Sequence, residues 1–177
     1  MKRINTLTLT TMALLCFAVA LPAAEALAQQ KQKVSYKVAA ENSKYPQRHT
    51  IDVGDEPGHQ LRIFEIYRAF PGNAPVINGV KLKEQWSRGY ADYVDNNGPS
   101  TNYGVYVLEN GDKFFTLTTT LGQADAAGKR TTISVGRVTG GTGKFVGMKG
   151  MVRSTGASDG KAGMNETQTE IEYWFAK

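Results

Sequence analysis

The residues best suited to chemistry fall in two short runs with alternating side chains. In the first, His59 to Arg68, the side chains of Leu61, Ile63, Glu65 and Tyr67 share one side of an extended chain, because successive strand residues point to opposite faces. If that side is the inner one, Glu65 is a solitary carboxylate in an apolar wall. Desolvation would raise its pKa, and with Tyr67 as hydrogen-bond partner it could give or take a proton at neutral pH. The alternative leaves Glu65 exposed or paired with Arg62 or Arg68, with Phe64 and Ile66 on the buried side. In the second run Trp86, Arg88, Tyr90 and Asp92 share a face. Two rings, a guanidinium and a carboxylate could line a cavity for a planar or carboxylated ligand, the guanidinium holding the anion in its fork. The same four could form an outer ladder of cross-strand pairs, since alternation does not say which face is which.

Other chemistries lack their residues. His49 and His59 are the only histidines and stand ten apart, without the close spacing of a metal site, so no metal is expected. No Gly-x-Ser-x-Gly elbow exists for a nucleophilic serine. The glycine-rich stretch Thr139 to Gly150 invites a phosphate-loop reading, but Val138 stands where the first glycine is needed and Phe145 where a Ser or Thr must follow Lys144. A dinucleotide fingerprint beginning at Gly141 fails at Val146. No cofactor is expected.

The leader narrows the class further. Lys2 and Arg3 precede an apolar stretch from Leu7 to Leu21, Pro22 ends it, and Ala26-Leu27-Ala28 has the small-residue pattern of a cleavage site. Residues 1–28 therefore read as a signal peptide and residues 29–177 as one domain, exported to the periplasm or beyond. The apolar stretch is shorter than the roughly 20 residues that span a bilayer, so no stable membrane anchor is expected. The single cysteine, Cys16, lies in this leader, which leaves the mature part without disulfide, thiolate or thiolate metal site. Taking away Lys2, Arg3 and Glu25 lowers the formal charge from +5 to +4, without a basic run that would mark a nucleic-acid partner. The chain could be a monomer or a homo-oligomer.

Strands must position the two runs. Beyond residue 29 no window repeats with a helical period, whereas alternating or β-branched runs recur over 33–39, 48–53, 59–69, 86–94, 103–109, 113–121, 130–138, 145–154 and 167–176. Asn110-Gly111 reads as a tight hairpin turn. The segments 70–75 and 95–100 hold prolines that cannot donate to a central ladder, and the stretch from Phe70 to Lys83 could cover one mouth. In 113–121 Phe115, Leu117, Thr119 and Leu121 are expected inside and Phe114, Thr116, Thr118 and Thr120 outside; in 167–176 Ile171, Tyr173 and Phe175 are expected inside and Glu170, Glu172 and Trp174 outside. An all-β fold follows, a single antiparallel eight-stranded, calycin-like β-barrel. A barrel of that size is filled by side chains or holds one small ligand.

The segment Gly140, Gly141, Thr142, Gly143, Phe145 and Gly150 resembles the Gly-Gly-Thr/Ser-Gly-x-Phe-x-x-x-x-Gly segment of the allene oxide cyclase and dirigent group of β-barrels. The order around it, Asp55 to His59 before a strand and Glu109 to Lys113 at a hairpin, is similar to that of bacterial exported relatives of unknown role. The resemblance spans roughly residues 48 to 155. It implies an eight-stranded barrel with an apolar cavity. Members of the group close rings on unsaturated fatty-acid epoxides or steer the coupling of phenoxy radicals, but no local motif here maps onto their catalytic residues. The expected function is therefore binding of a small apolar or amphipathic molecule in the barrel, with Leu61, Ile63, Trp86, Arg88, Tyr90, Asp92 and Phe115 as candidate lining. The alternatives are a cyclase or isomerase acting through Glu65 and Tyr67, and a filled structural barrel without a ligand.

Overall fold

β-branched and aromatic runs, punctuated by glycine, asparagine and aspartate, form strands with little else between them in the computed structural model, which describes residues 30–159 and 164–176. The leader, residues 1–28, lies outside the described residues. The strands are β1 Gln32–Val38, β2 Ser43–Asp52, β3 His59–Ala69, β4 Val76–Ile77, β5 Val80–Val94, β6 Gly98–Leu108, β7 Lys113–Ala124, β8 Lys129–Gly141, β9 Met148–Asp159 and β10 Met164–Phe175. Two single 3-10 turns, Ala40–Asn42 and Gly143–Phe145, are the only helical elements described. No helix among the described residues is long and apolar enough to cross a membrane.

All ten strands join one antiparallel sheet in the order β1-β10-β9-β8-β7-β6-β5-β3-β2, with β4 paired to the start of β5. This corrects the expected closed barrel of eight strands: β1 and β2 end the path and do not pair with each other. The sheet nevertheless rolls up. One row of paired residues runs from Arg62 through Ala91, Ser100, Thr120, Ser134, Ser154 and Thr169 to Tyr36. Tyr36 then packs edge-on against Phe70, at 5.5 Å between ring centroids, rather than against Arg62. That offset of eight positions along the chain is the stagger a sheet acquires when it wraps onto itself.

One end of the roll is plugged. Phe114, Phe145, Ile77, Leu82, Leu108, Met148 and Ile171 are fully buried and share one cluster with Val152, Tyr173 and Tyr36. The glycine segment makes this plug possible. Gly143 takes φ +51, and a Cβ there would strike the Asp112 carboxylate, which accepts the Lys144 backbone N–H at 3.0 Å. A Cβ on Gly141 would meet Phe145 at 2.6 Å, so the bare backbone lets the ring turn inward. The stretch from Phe70 to Lys83, expected as a loop over a mouth, contributes the β4–β5 hairpin to the same end, where the backbone N–H of Asn78 donates to the Tyr173 hydroxyl at 2.8 Å.

Turn chemistry differs in detail from expectation. Two two-residue turns have both residues at positive φ: Asn78-Gly79, at 49° and 76°, between β4 and β5, and Asp95-Asn96, at 49° and 64°, between β5 and β6. Asn110-Gly111 lies in a longer connection in which Gly111 alone has positive φ. Pro99 sits near the start of β6, where a missing donor disturbs the ladder least.

The larger correction concerns faces. On β7 the inward residues are Phe114, Thr116 and Thr120, all buried, whereas Phe115 is only half-buried and Leu121 is 57% exposed on the outside. Leu61, Ile63, Tyr90, Tyr103, Ile133 and Val135 are likewise exposed outer-wall residues. On β10 Ile171 and Tyr173 face inward as expected. The reason is the inner wall itself: away from the plug it is mostly Ser, Thr, Gln, Asn, Gly and Arg, so hydrophobicity does not distinguish inside from outside there.

This assignment predicts that Phe114→Ala destabilises the fold by about 3–5 kcal/mol, the usual result of emptying a buried aromatic site. Ile63→Thr, on the outer wall, should change stability by no more than about 0.5 kcal/mol. Urea denaturation of the two variants measures both.

Candidate functional site

Every residue nominated from the sequence lies on the outer wall. The β3–β5 register pairs Leu61 with Asp92, Ile63 with Tyr90, Glu65 with Arg88 and Tyr67 with Trp86, and the intervening pairs, Arg62 with Ala91 and Arg68 with Gln85, face inward. Glu65 is not solitary: it accepts a hydrogen bond from Arg88 Nε at 2.6 Å. That corrects the reading of a desolvated carboxylate poised for proton transfer. Tyr67 packs on Trp86 with centroids 4.7 Å apart, Arg88 lies over the Trp86 ring, and the Trp86 indole donates to Glu84 at 3.2 Å. These residues, with Phe115, form cross-strand contacts on the outside rather than a cavity lining.

Asp92 belongs to a different constellation. His59, just after the turn made by Gly58 at φ +79, places Nδ1 2.6 Å from Asp55 Oδ1 and Nε2 2.7 Å from Asp92 Oδ1. A carboxylate offers only acceptors, so both ring nitrogens must carry protons for both bonds to form. The bond to Asp92, then that to Asp55, raises the His59 pKa. Carboxylate oxygens of Asp55 and Glu56 come with a His59 nitrogen within 4.8 Å of one another, a donor set that could approach a cation. His59 would have to give up a carboxylate to serve as ligand.

Inside, the polar part of the wall is knit by side chains two residues apart or across strands. Gln85 donates to the hydroxyls of Ser87 and Tyr106, each at 3.2 Å; Asn102 donates to Thr120 at 3.1 Å; the hydroxyls of Thr120 and Ser134 are hydrogen-bonded at 2.7 Å; and Thr169 donates to Ser154 at 3.2 Å. Tyr36 Oη and Arg68 Nε stand outside this network, as do Ser43 Oγ, Arg130 Nη2 and Asn165 Nδ2. The Tyr36 hydroxyl lies beside Tyr106, Thr169 and Arg68 without a hydrogen bond of good geometry, and Arg68 Nε has no partner although Arg68 is only 8% exposed. Burial, reinforced by the neighbouring Tyr106, pushes the Tyr36 phenol well above its usual range; burial also raises Tyr106, so both stay protonated donors.

Tyr93 points inward from β5 and is buried. The guanidinium of Arg130 lies 4.3 Å and that of Arg62 5.4 Å from its ring centroid. Tyr45, at the bulge of β2, is half exposed, but its hydroxyl end is sheltered, which raises its pKa against the opposing field of Arg68, Arg130 and Arg48. These arginines were missed as site residues. Parity carried a signal: Arg62 and Arg68 are even-numbered in β3 and Glu65 odd, so a straight strand could never have paired them.

Concavities of ligand size also open on the outside. One of about 480 Å³ is lined by Asn97, Gln123, Ala124, Asp125, Lys129 and Thr131, and one of about 270 Å³ lies around Lys37, Thr155, Glu166 and Gln168. Neither is the apolar interior cavity expected from the sequence, since the apolar part of the interior is occupied by the plug.

No protein-family model matches the chain, and no curated protein does. Among solved structures, one pterocarpan synthase dirigent protein superposes with a TM-score of 0.51 at 11% identity, covering 84% of this chain and 90% of that one. A second pterocarpan synthase dirigent protein gives 0.50 at 11% identity, over 84% of this chain and 97% of that one. Pyocyanin demethylase gives 0.40 at 15% identity, over 78% and 99%, too low a score to weigh. At such identity the likeness is one of fold, and the fold is dirigent-like and barrel-like.

Folding raises the His59 pKa above its unfolded value of about 6.5, so the stability contributed by the clamp is complete below that pH and is lost as pH rises through the folded value. His59→Gln should therefore lower the melting temperature at pH 5.5, and the gap to the unchanged protein should narrow as pH rises past neutrality. Thermal melts across pH 5.5 to 9 test this; a gap that widens with pH would contradict the doubly bonded imidazolium.

Proposed function

We propose that this chain is an exported binding protein, its leader removed after Ala28, that takes a small amphipathic molecule against the polar half of its inner wall. The observation that carries the reading is the pair of orphaned buried atoms, Tyr36 Oη and Arg68 Nε, beside a wall in which Gln85, Ser87, Tyr106, Asn102, Thr120, Ser134, Ser154 and Thr169 are hydrogen-bonded. Buried polar groups are nearly always paired, and a ligand that enters and supplies the missing partners accounts for two that are not. The rings of Tyr93 and Phe64 offer it apolar contact, at about 25 cal/mol per Å² buried. Two fold neighbours named as pterocarpan synthases are in keeping with a small-molecule role.

A cyclase or isomerase acting through Glu65 and Tyr67 has no comparable support, because both residues are engaged on the outer wall. A filled barrel without a ligand is the competing outcome of the test.

Adjacent residues of β8 provide that test. Ser134 faces inward and bonds Thr120, while Ile133 is 65% exposed on the other side. Ser134→Phe should abolish the fluorescence rise of the neutral probe N-phenyl-1-naphthylamine, and Ile133→Phe should leave it unchanged, in proteins that both melt cooperatively. Absence of any rise with the unsubstituted protein would favour the filled barrel.

A further inference from the structure

The inner wall carries four arginines that form no ion pair among the described residues. Arg62 and Arg68 of β3 and Arg130 of β8 face inward, and Arg48 of β2, paired with the inward Phe64, lies on the same side. Asp52 reaches Arg62 only through the Gln60 amide, which donates to Asp52 at 2.8 Å and accepts from Arg62 at 2.7 Å. Burial lowers the Arg62 pKa, and the like charges of Arg48 and Arg130 lower it further.

Two of these guanidiniums are held with hydrogen-bonding capacity in reserve. Arg68, more than nine-tenths buried, has Nε without a partner. Arg130 donates Nε to the Asn96 carbonyl at 3.0 Å, while its Nη2, also buried, has no partner. Room for Arg130 comes from Gly122, where a Cβ would collide with the guanidinium. The phenols of Tyr36 and Tyr45 stay protonated beside this cluster and can donate as well. Arg68 is buried, Arg62 and Arg130 are half-buried and Arg48 is exposed, and an uncompensated charge drawn out of water costs stability. A fold that keeps several together, between aromatic rings and fixed donors, is arranged for a negative group that arrives from outside. Guanidinium forks match planar oxyanions, and the rings suit an aromatic or unsaturated body beside the charge.

We propose that Arg48, Arg62, Arg68 and Arg130, with Tyr36 and Tyr45, form the anion-recognising end of the ligand site, which takes a small molecule bearing a carboxylate, sulfonate or phosphate group. The inference rests on the reading of the inner wall as a ligand site and specifies what that ligand carries.

Two probes with the same ring skeleton separate the two ideas. 8-Anilinonaphthalene-1-sulfonate carries the anion; N-phenyl-1-naphthylamine does not. The sulfonate should bind at least tenfold tighter than the neutral probe, and its affinity should fall as salt rises. Arg68→Gln and Arg130→Gln should each weaken the sulfonate roughly tenfold or more, and Arg130→Gln should change the neutral probe less than about twofold. Ile63→Thr combined with Ile133→Thr, on the outer wall, should alter neither probe and so excludes binding there. Without any ligand, Arg68→Met should melt at a higher temperature than the unsubstituted protein, because an unpaired charge has been removed. Equal affinity for the two probes, or arginine variants that bind the sulfonate undiminished, would overturn the anion assignment and leave the binding site standing. Failure of both probes to bind would overturn both. If an Arg68 variant does not fold, the Arg130 variant and the rise in melting temperature of the unsubstituted protein with added sulfate decide the matter.

Discussion

A rolled antiparallel sheet gives each side chain only two places to go, and the structure depends on which of the two the Phe114, Thr116 and Thr120 side takes. It takes the inside. Through the register, that choice sets the neighbours on every other strand: Thr120 brings in Ser100 and Ser134, these bring in Ala91 and Ser154, and the row continues to Arg62 at one edge and Tyr36 at the other. A slip of one residue on a single strand would turn Leu117 and Leu121 inward and expose a row of hydroxyls. The bonds among Thr120, Ser134 and Asn102 oppose that slip, because each satisfies a polar atom the interior would otherwise leave bare.

The interior is divided along the roll. At one end Phe114, Phe145, Met148 and Ile77 fill the space, held by a glycine segment whose bare backbone lets Phe145 in. Toward the other end the wall is polar, then cationic, with Tyr93 between two guanidiniums. The first supplies the hydrophobic burial on which stability rests. The second works against it, since an unpaired buried group such as Arg68 Nε is unfavourable.

Much of the architecture can be read from the chain, because strand identity follows from period-two runs and turn residues. The boundaries of β3, 59–69, match the expected ones, and β1, β7 and β10 are where they were expected to within a few residues. Strand β5 is longer than expected, starting at Val80, because the sequence shows no sign that Val80 to Gln85 pairs with a strand of only two residues, β4, and then with β6. The faces were legible on β10, where Ile171 and Tyr173 oppose glutamates, and misleading on β7, where the outer wall carries Leu121 and the inner wall hydroxyls. Hydrophobicity marks the inside only when the inside is apolar. Of the candidate site, nothing transferred: Glu65 and Arg88 neutralise each other outside, while the inward Arg62 and Arg68 looked like counter-ions for Glu65 and are separated from it by the pleat.

Cysteine accessibility along β7 tests this inversion most directly. In a Cys16→Ser background, single cysteines at Thr116, Thr119, Thr120 and Leu121 would be reacted with a maleimide under native conditions. The account predicts rapid modification at 119 and 121 and strong protection at 116 and 120, lost on unfolding in urea. Protection at 119 and 121 with rapid reaction at 116 and 120 would contradict it, and with it the polar, cationic inner wall.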